Sequence, residues 1–423
     1  MARERVVRPY PQEVPSPARG GSQGQGAQVG RATENAWGIS LDDATLPDSE
    51  TRITDFAAFF AISFPGFLLP LVGVPAGEVA ALGLGLIALF RTSDRLNGQP
   101  VWFTWAMVAV PLWLVGSGVL NDDLNLKRLA HMASYALLAL ALASGRIAIP
   151  SAVRGLMWGL PLSVAVSVAG AGNGYVGRLD GLIGDPNAAA YYLLVLGLVV
   201  MAYCSRTFVA VLFGLFTAVS VVLTFSRTGL TVVIVAVLWL SYGRRLRLLA
   251  AAVSLAVTGW LVQNVSDDLR LWGPFADREG SDALRLRIIA SEQAQVADAP
   301  LWGNGPGTST VDLGGQTFFF HSSYYGVLNE GGWPLLLVLL AVLAGVFAAL
   351  TNGTGRGTRR TACLQMAMIA SLMMAFTLGE VLLDLPMAVV LGVGIRHAML
   401  TRPRPAEVDE PETRLLADRD RAR

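Results

Sequence analysis

The most constraining feature of the sequence is one very long apolar run. Residues 208–240 are almost wholly apolar, and the only polar group near their middle is Ser-Arg-Thr-Gly at 226–229. As one helix, this run would reach about 50 Å at about 1.5 Å per residue. The hydrocarbon core of a bilayer is only about 30 Å thick. The run therefore predicts two adjacent spanning helices separated by a turn at 226–229.

The rest of the chain repeats this pattern of apolar segments joined by polar ones. Its 423 residues are 53% hydrophobic and 15% charged, whereas a soluble domain carries about 25% charged residues. The sequence therefore predicts an all-α polytopic membrane protein with about twelve transmembrane helices. The predicted spans are 56–74, 76–90, 101–119, 128–144, 155–171, 188–204, 207–225, 228–242, 247–263, 326–350, 361–379 and 385–400.

The distribution of basic residues predicts the orientation of the chain. Most of the 32 basic residues fall in cytoplasmic segments if the N-terminus lies inside, as the positive-inside rule requires. We therefore expect a multi-pass plasma-membrane protein whose N- and C-termini are both cytoplasmic. Residues 1–50 are polar and rich in Pro and Gly, which predicts a disordered tail. Residues 51–400 then form the transmembrane domain, and 401–423 form a second cytoplasmic tail.

One connection is much longer than the others. Residues 264–325 follow the ninth predicted span and precede the tenth, which makes them a large external loop. Loops of this length are usually functional or disordered. The sequence predicts a helix at 283–298 within the loop, with Asp282 as its N-cap.

Arg227 is the first candidate functional residue. It is expected at the external membrane surface, where an arginine costs a few kcal/mol, on the order of 3, unless it is paired or solvated. It also begins the second helix of the long apolar run, and the free N–H groups and dipole of a helix N-terminus favour an anion. This arrangement suits a phosphate group. The alternative is a snorkelling arginine that anchors the helix end.

Further candidates lie in the external loop. Arg285 and Arg287 are two residues apart on the predicted loop helix, so they point to different faces and at most one is expected to face a given ligand. His321 precedes a long apolar helix, where a histidine can act as a base or hydrogen-bond a hydroxyl. The alternatives are solvated charges and a structural histidine. The external histidine has no cysteine or second histidine at zinc-ligand spacing, so we expect no metal site.

Two turn-forming segments complete the candidate set. Arg178, Asp185 and Asn187 share a short external loop, in which Asp-Pro-Asn is typical of a turn and helix cap, although the acids could instead bind a divalent ion. The segment Pro-Leu-Trp-Gly-Asn-Gly-Pro-Gly at 300–307 includes Gly305. Its glycines permit close approach of the backbone to a ligand, and a purely structural turn is the alternative. It is not a nucleotide-binding loop, because no Gly-Lys-Ser/Thr follows.

The order of these segments resembles the O-antigen ligase and O-antigen polymerase family of bacterial membrane glycosyltransferases. The matching parts are Gly-Asp-Pro-Asn at 184–187, Phe-Ser-Arg-Thr-Gly at 225–229, Arg285, the 300–307 turn, His321 and Glu330 with Gly331. The resemblance implies a GT-C-type fold in a bacterial inner membrane, with 51–400 as the catalytic domain. It also implies a polyprenyl-diphosphate sugar donor, such as an undecaprenyl diphosphate, and catalysis without a metal or other cofactor.

The resemblance further implies roles for individual residues. Arg227 and Arg285 are expected to hold the donor's diphosphate, and His321 is expected to orient or activate the acceptor hydroxyl. The expected substrate-binding residues around them are Arg178, Asn187, Arg287, Gly305, Tyr324 and Glu330.

The function expected from these observations is transfer of a polyprenyl-diphosphate-linked glycan to a glycan or other hydroxyl acceptor at the outer membrane face. The lipid bilayer is the other partner, and nucleic acid is not expected, because the charges are scattered between apolar runs. The sequence leaves open whether such an enzyme is a ligase or a polymerase. A transporter or flippase of lipid-linked glycan and a non-catalytic scaffold are the alternatives. A transporter predicts inverted repeats and binding at the midplane, whereas the candidate residues gather at one surface.

Overall fold

The computed structural model describes residues 51–69, 74–93, 99–170, 177–180, 182, 184–242, 279–352 and 357–401. About 74% of these described residues are helical. The helices before residue 243 are α1 (Ile53–Ile62), α2 (Ala76–Leu89), α3 (Val101–Leu120), α4 (Leu126–Ala143), α5 (Ile149–Val168), α6 (Pro186–Tyr203), α7 (Thr207–Leu223) and α8 (Arg227–Tyr242).

The second part of the chain combines helices with one small hairpin. It comprises α9 (Glu279–Asp298), strands β1 (Thr310–Leu313) and β2 (Gln316–Phe319), α10 (Ser323–Asn352), α11 (Arg359–Met374), a 3-10 helix (Val381–Leu383) and α12 (Leu385–Leu400). The two strands are antiparallel, with Thr310 opposite Phe319 and Leu313 opposite Gln316.

Apolar helices dominate the part of the chain that the structure describes. Five helices there are long and apolar enough to cross a membrane, and five more are apolar but shorter. The long ones are α3, α4, α5, α6 and α10; the shorter ones are α1, α2, α7, α8 and α12. The chain is therefore an all-α protein whose helices suit a bilayer. The predicted span at 247–263 lies outside the described residues.

The predicted break in the long apolar run is confirmed. Helix α7 ends at Leu223 and α8 begins at Arg227. Phe225 adopts a positive φ of 49° in the turn. The hydroxyl oxygen of Ser226 accepts a hydrogen bond from the backbone N–H of Gly229 at 3.2 Å, which is how a serine caps a helix N-terminus. The polar residues at 226–229 thus end one helix and start the next.

Two predicted boundaries are wrong, and one predicted span is interrupted. The first predicted span, 56–74, is a short helix that ends at Ile62, and turns follow it around Pro65. The predicted loop helix exists, but α9 begins at Glu279, so Asp282 lies within the helix and is not its N-cap. Helix α10 contains the predicted span 326–350 but is interrupted at Gly332, where φ is 67° and ψ is −168°. That conformation is essentially restricted to glycine.

Helix packing brings distant segments together at one end of the bundle. Helix α1 packs on α5, α6 packs on α7 and α11, and α4 packs on α2 and α12. Close packing of α1 and α5 depends on Gly155, because a Cβ there would overlap the carbonyl oxygen of Phe56. Small residues allow such close approach between apolar helices. As a result, the first turns of α2, α4, α6 and α10 and the segment that precedes α12 surround one cavity.

Candidate functional site

The cavity has a volume of about 870 Å³, within the range of about 300–1,000 Å³ typical of small-molecule sites. Its walls come from the first turns of α2, α4, α6 and α10, from β2, and from the segment that precedes α12. His321 lies at this wall, between β2 and α10. Residues 307–321 and the helix bundle therefore meet at the cavity.

Carboxylates outnumber permanently charged bases among the described residues that line the cavity. Two lining residues, Lys127 and Arg128, carry permanent positive charge, and two more are histidines, His131 and His321. The lining carboxylates are Glu78, Asp185, Glu330, Glu380 and Asp384. The interior is therefore acidic overall, which is unfavourable for an anionic group.

His321 is held in place through its backbone. The carboxylate of Glu292 on α9 accepts hydrogen bonds from the backbone N–H groups of His321 and, at 3.3 Å, of Ser322. Glu292 has 0% exposure, so this contact anchors the loop helix to the start of α10. Burial raises the pKa of Glu292, while those two N–H groups and the nearby Arg285 oppose the change.

The surroundings of His321 determine its protonation state. Burial and, to a smaller extent, the positive charge of Arg285 lower the pKa of His321 to about 4, although Asp185 opposes both. The imidazole is therefore neutral near pH 7 and can accept a hydrogen bond from a hydroxyl. An imidazole with so low a pKa retains a proton poorly, so His321 is better suited to orienting a hydroxyl than to removing its proton.

Arg285 and Arg287 occupy different surroundings, as their spacing predicts. The side chain of Arg285 is partly buried and donates a hydrogen bond to the carbonyl oxygen of Thr377 at 2.9 Å. It is also close enough to His321 to influence its charge. Arg287 is exposed on another face of α9. Arg285 is thus the arginine of this pair that lies beside His321.

Arg227 is linked to the same region through its neighbours in sequence. The hydroxyl of Thr377, whose carbonyl binds Arg285, donates to the hydroxyl of Thr228 at 3.0 Å. On the other side of Arg227, Ser226 donates to the side-chain oxygen of Asn187 at 2.8 Å. Thr228, which follows Arg227, and Arg285 therefore both contact Thr377, which immediately precedes cavity-lining residues 378–381.

Asp185 and Asn187 form the predicted helix cap. The carboxylate of Asp185 accepts a hydrogen bond from the backbone N–H of Asn187 at 2.7 Å, at the first turn of α6. Asp185 also lines the cavity. In the described part of the chain, no group of three or more His, Cys, Asp or Glu residues could hold a metal ion.

Three of the predicted substrate-binding residues contact other parts of the protein. Arg178 donates to the carbonyl oxygen of Thr224 at 2.9 Å, at the α7–α8 turn that precedes Arg227. The hydroxyl of Tyr324 donates to the carbonyl oxygen of Leu372 at 2.9 Å. The backbone N–H of Gly305 donates to the carbonyl oxygen of Glu330 at 3.1 Å. These contacts position the surrounding backbone, and their roles toward a substrate stay predictions.

The glycine-rich turn at 300–307 packs against the interruption in α10. Asn304 donates from its backbone to the carbonyl of Asn329 at 2.6 Å. Ser117 on α3 donates to the carbonyls of Trp302 at 2.8 Å and Glu330 at 3.0 Å. These contacts give the turn a structural role, the alternative that its glycines left open.

Glu330 is part of an ion network that the sequence did not reveal. Its side chain is 2% exposed and lies 3.1 Å from the Nε of Arg128, whose Nη1 lies 2.9 Å from Glu380. Arg128 is in the first turn of α4, where Asn125 caps the helix through the backbone N–H of Arg128. The one sequence signal for this network was an arginine at the start of an apolar helix. Its two partners could not be identified from the sequence, because Glu330 and Glu380 lie more than 200 residues from Arg128.

Two further polar pairs at the cavity were also missed. The hydroxyl of Tyr192 donates to the carboxylate of Asp384 at 2.8 Å. Glu78 on α2 lies 2.6 Å from Nε2 of His131 on α4. His131 lies in the second turn of α4, within the predicted span 128–144, and on the cavity wall.

Together, His321, Arg285, the α8 N-terminus and the cavity carboxylates form one site at one end of the bundle. The site offers a neutral imidazole, the side chain of Arg285 close enough to influence it, and a carboxylate-lined cavity wall. The chain matches no protein-family model and no curated protein sequence, so its function must be argued from this geometry and from the resemblance of its motifs.

Proposed function

We propose that the chain transfers a glycan from a polyprenyl-diphosphate carrier to an acceptor hydroxyl. The reaction takes place at the outer face of a bacterial inner membrane, in a twelve-span protein of GT-C type. The observation that carries this proposal is that Arg285 lies near the cavity-lining His321 and shares its contact with Thr377 with the first turn of α8, where Arg227 stands. A donor diphosphate needs cationic or N–H groups, an acceptor hydroxyl needs a hydrogen-bond acceptor such as a neutral imidazole, and transfer requires the two to be adjacent.

The distribution of charge supports separate places for the two substrates. The interior of the cavity is acidic, so a diphosphate is disfavoured there. Arg285 and the start of α8 lie at its edge, where a guanidinium and helix N–H groups can bind phosphate oxygens. A hydroxyl-rich sugar carries no charge and can donate hydrogen bonds to the lining carboxylates. The acceptor therefore occupies the cavity and the diphosphate lies at the arginine edge.

The chemistry follows from this arrangement. The bond between the anomeric carbon and the diphosphate oxygen breaks, and its electron pair stays on the diphosphate. Fixed arginines stabilise that developing charge without reorganisation. The acceptor oxygen forms the new bond to the anomeric carbon, and the neutral imidazole of His321 orients the hydroxyl by accepting its hydrogen bond.

Deletion of the gene in the source organism tests the reaction type. Loss of a ligase should leave long glycan on its lipid carrier, and loss of a polymerase should leave single-repeat products. Chain length of carrier-bound and surface glycan separates these cases on a gel. An unchanged glycan pattern in the deletion strain would refute the proposal.

Complementation with variants tests the site. We expect Arg227→Ala, Arg285→Ala and His321→Ala each to lower glycan joining at least 100-fold, because each removes a group that acts on the reacting atoms. Arg154→Ala is the matched control; Arg154 binds Thr51 beside α1, away from the cavity. Membrane levels of each variant are measured in parallel. Retained joining in both Arg227→Ala and His321→Ala would remove this mechanism.

Reconstitution in liposomes distinguishes the enzyme from a transporter or flippase. Lipid-linked glycan extracted from the deletion strain is incorporated with the purified protein and with acceptor-containing membranes. The proposal expects a new glycan–acceptor product. Movement of the lipid-linked glycan between leaflets without such a product would favour transport.

A further inference from the structure

We infer that Glu78 and His131 form the pair that binds the acceptor hydroxyl and removes its proton. Nε2 of His131 lies 2.6 Å from Oε2 of Glu78, and the side chains are 22% and 21% exposed, respectively. Both residues line the same cavity as His321. A carboxylate that holds an imidazole at an accessible wall is typical of general-base histidines. The inference rests on the proposed glycosyl transfer and adds a residue pair to it.

The two helices that carry the pair hold it in a fixed position. Glu78 lies in the first turn of α2 and His131 in the second turn of α4, and these helices pack against each other. Tyr135, one turn further along α4, stacks on the imidazole with ring centroids 6.3 Å apart. Nε2 of His131 faces Oε2 of Glu78 at 2.6 Å, so Nδ1 is the ring nitrogen left to accept a hydroxyl proton. Glu78 then stabilises the imidazolium that forms.

The other described histidines do not offer this combination. The pKa of His321 is lowered to about 4 by burial and by Arg285, so it can receive a hydrogen bond but holds a proton poorly. His397 is buried near the C-terminal end of α12, where its Nε2 contacts the hydroxyl of Thr361. Among these three, His131 combines a carboxylate partner with access to the cavity.

The transfer step forms one bond, breaks one bond and moves one proton. The acceptor oxygen forms a bond to the anomeric carbon, while the bond from that carbon to the diphosphate oxygen breaks. The acceptor proton moves to Nδ1 of His131, and the electron pair of the broken bond stays on the diphosphate carrier. His131 then returns its proton to water in the cavity. His321 orients the same hydroxyl, so the two histidines have different roles.

The test uses the liposome assay with lipid-linked glycan and acceptor-containing membranes from the deletion strain. We expect His131→Gln and His131→Asn to lower the rate of joining by about 100-fold or more, the usual contribution of a general base. Glu78→Gln should lower it by about 10-fold, because a neutral amide stabilises the imidazolium less. The double variant should be no slower than His131→Gln alone, because Glu78 acts through His131. His397→Gln is the matched control and should retain the wild-type rate.

Several results would overturn the inference. One is a rate within about threefold of wild type for a folded histidine variant, well short of a general base's usual contribution. Another is a double variant whose loss equals the product of the single losses, because that shows independent structural effects. If both histidine variants unfold, Glu78→Gln becomes the test, and an unchanged rate of joining by this variant refutes the proposed role of the pair. A wild-type protein that joins no glycan refutes the glycosyl-transfer proposal itself, and the inference fails with it.

Discussion

At the scale of single residues, His321 illustrates how position determines chemistry. Its backbone is bound by the buried carboxylate of Glu292, and Arg285 and Asp185 act on its imidazole with opposite charges. Burial and Arg285 outweigh Asp185, so the neutral form is favoured. The sequence could predict that His321 lies near a charged group, but only the fold specifies which charge prevails.

The lowered pKa of His321 predicts a pH dependence of stability. Its folded-state pKa of about 4 lies below the ordinary value of 6.5, so the unfolded chain binds more protons between those values. Stability is therefore present above about pH 6.5 and is lost as the pH falls toward about 4. We expect His321→Gln to remove about 1–2 kcal/mol of this loss, after allowance for solvent screening. The raised pKa of Glu292 acts in the opposite direction, so the wild type must be compared with the variant.

Thermal unfolding in detergent, from about pH 7.5 down to about pH 5, measures this difference. The wild type should lose more stability than His321→Gln over that range. His397→Gln is not a suitable control here, since it is itself a buried histidine; Gln365→Ala on α11 changes no titratable group. Parallel pH curves for wild type and His321→Gln would contradict the prediction.

At the scale of elements, two breaks in helices position the site, and the sequence predicted one of them. The α7–α8 break follows from length and from a single polar segment in an apolar run, both of which are local properties. The position of the break in α10, at Gly332, could not be predicted without knowing which segment packs there, because neighbouring Gly331 and Pro334 are compatible with several kink positions. The contact of this break with the 300–307 turn is tertiary and leaves no periodic signal.

Gly332→Ala tests the importance of the α10 break. The φ of 67° and ψ of −168° disfavour any side chain, and a Cβ would overlap the carbonyl oxygen of Leu301. We expect a loss of about 2–4 kcal/mol and displacement of the adjacent Glu330, with lower glycan joining. Gly116→Ala is the matched control, because a Cβ there meets no atom within 4 Å. Equal unfolding temperatures of the two variants would show that the break tolerates a side chain.

At the scale of the whole molecule, the site depends on contacts between helices from the N-terminal and C-terminal parts of the chain. The sequence predicted the helical class, the α7–α8 turn and the placement of Arg285 and Arg287 on different faces, since these depend on composition and on short spacings. It did not reveal the pairing of Arg128 with Glu330 and Glu380, nor that of Glu78 with His131. Those pairs join elements that are distant in sequence, and one chain without covariation carries no information on which helices meet.

The Arg128–Glu330 pair provides a test of this long-range connection. Glu330 is 2% exposed, so removal of Arg128 leaves a buried carboxylate without its cation. We expect Arg128→Gln to destabilise the protein by about 3–5 kcal/mol, and Glu330→Gln in the same chain to restore most of the loss by removing the charge. Lys127→Gln, at the adjacent exposed position, should have little effect. Unfolding midpoints in detergent are compared for the wild type, Arg128→Gln, Lys127→Gln and the double variant. A double variant as unstable as Arg128→Gln would show that the pair does not connect the two parts of the bundle.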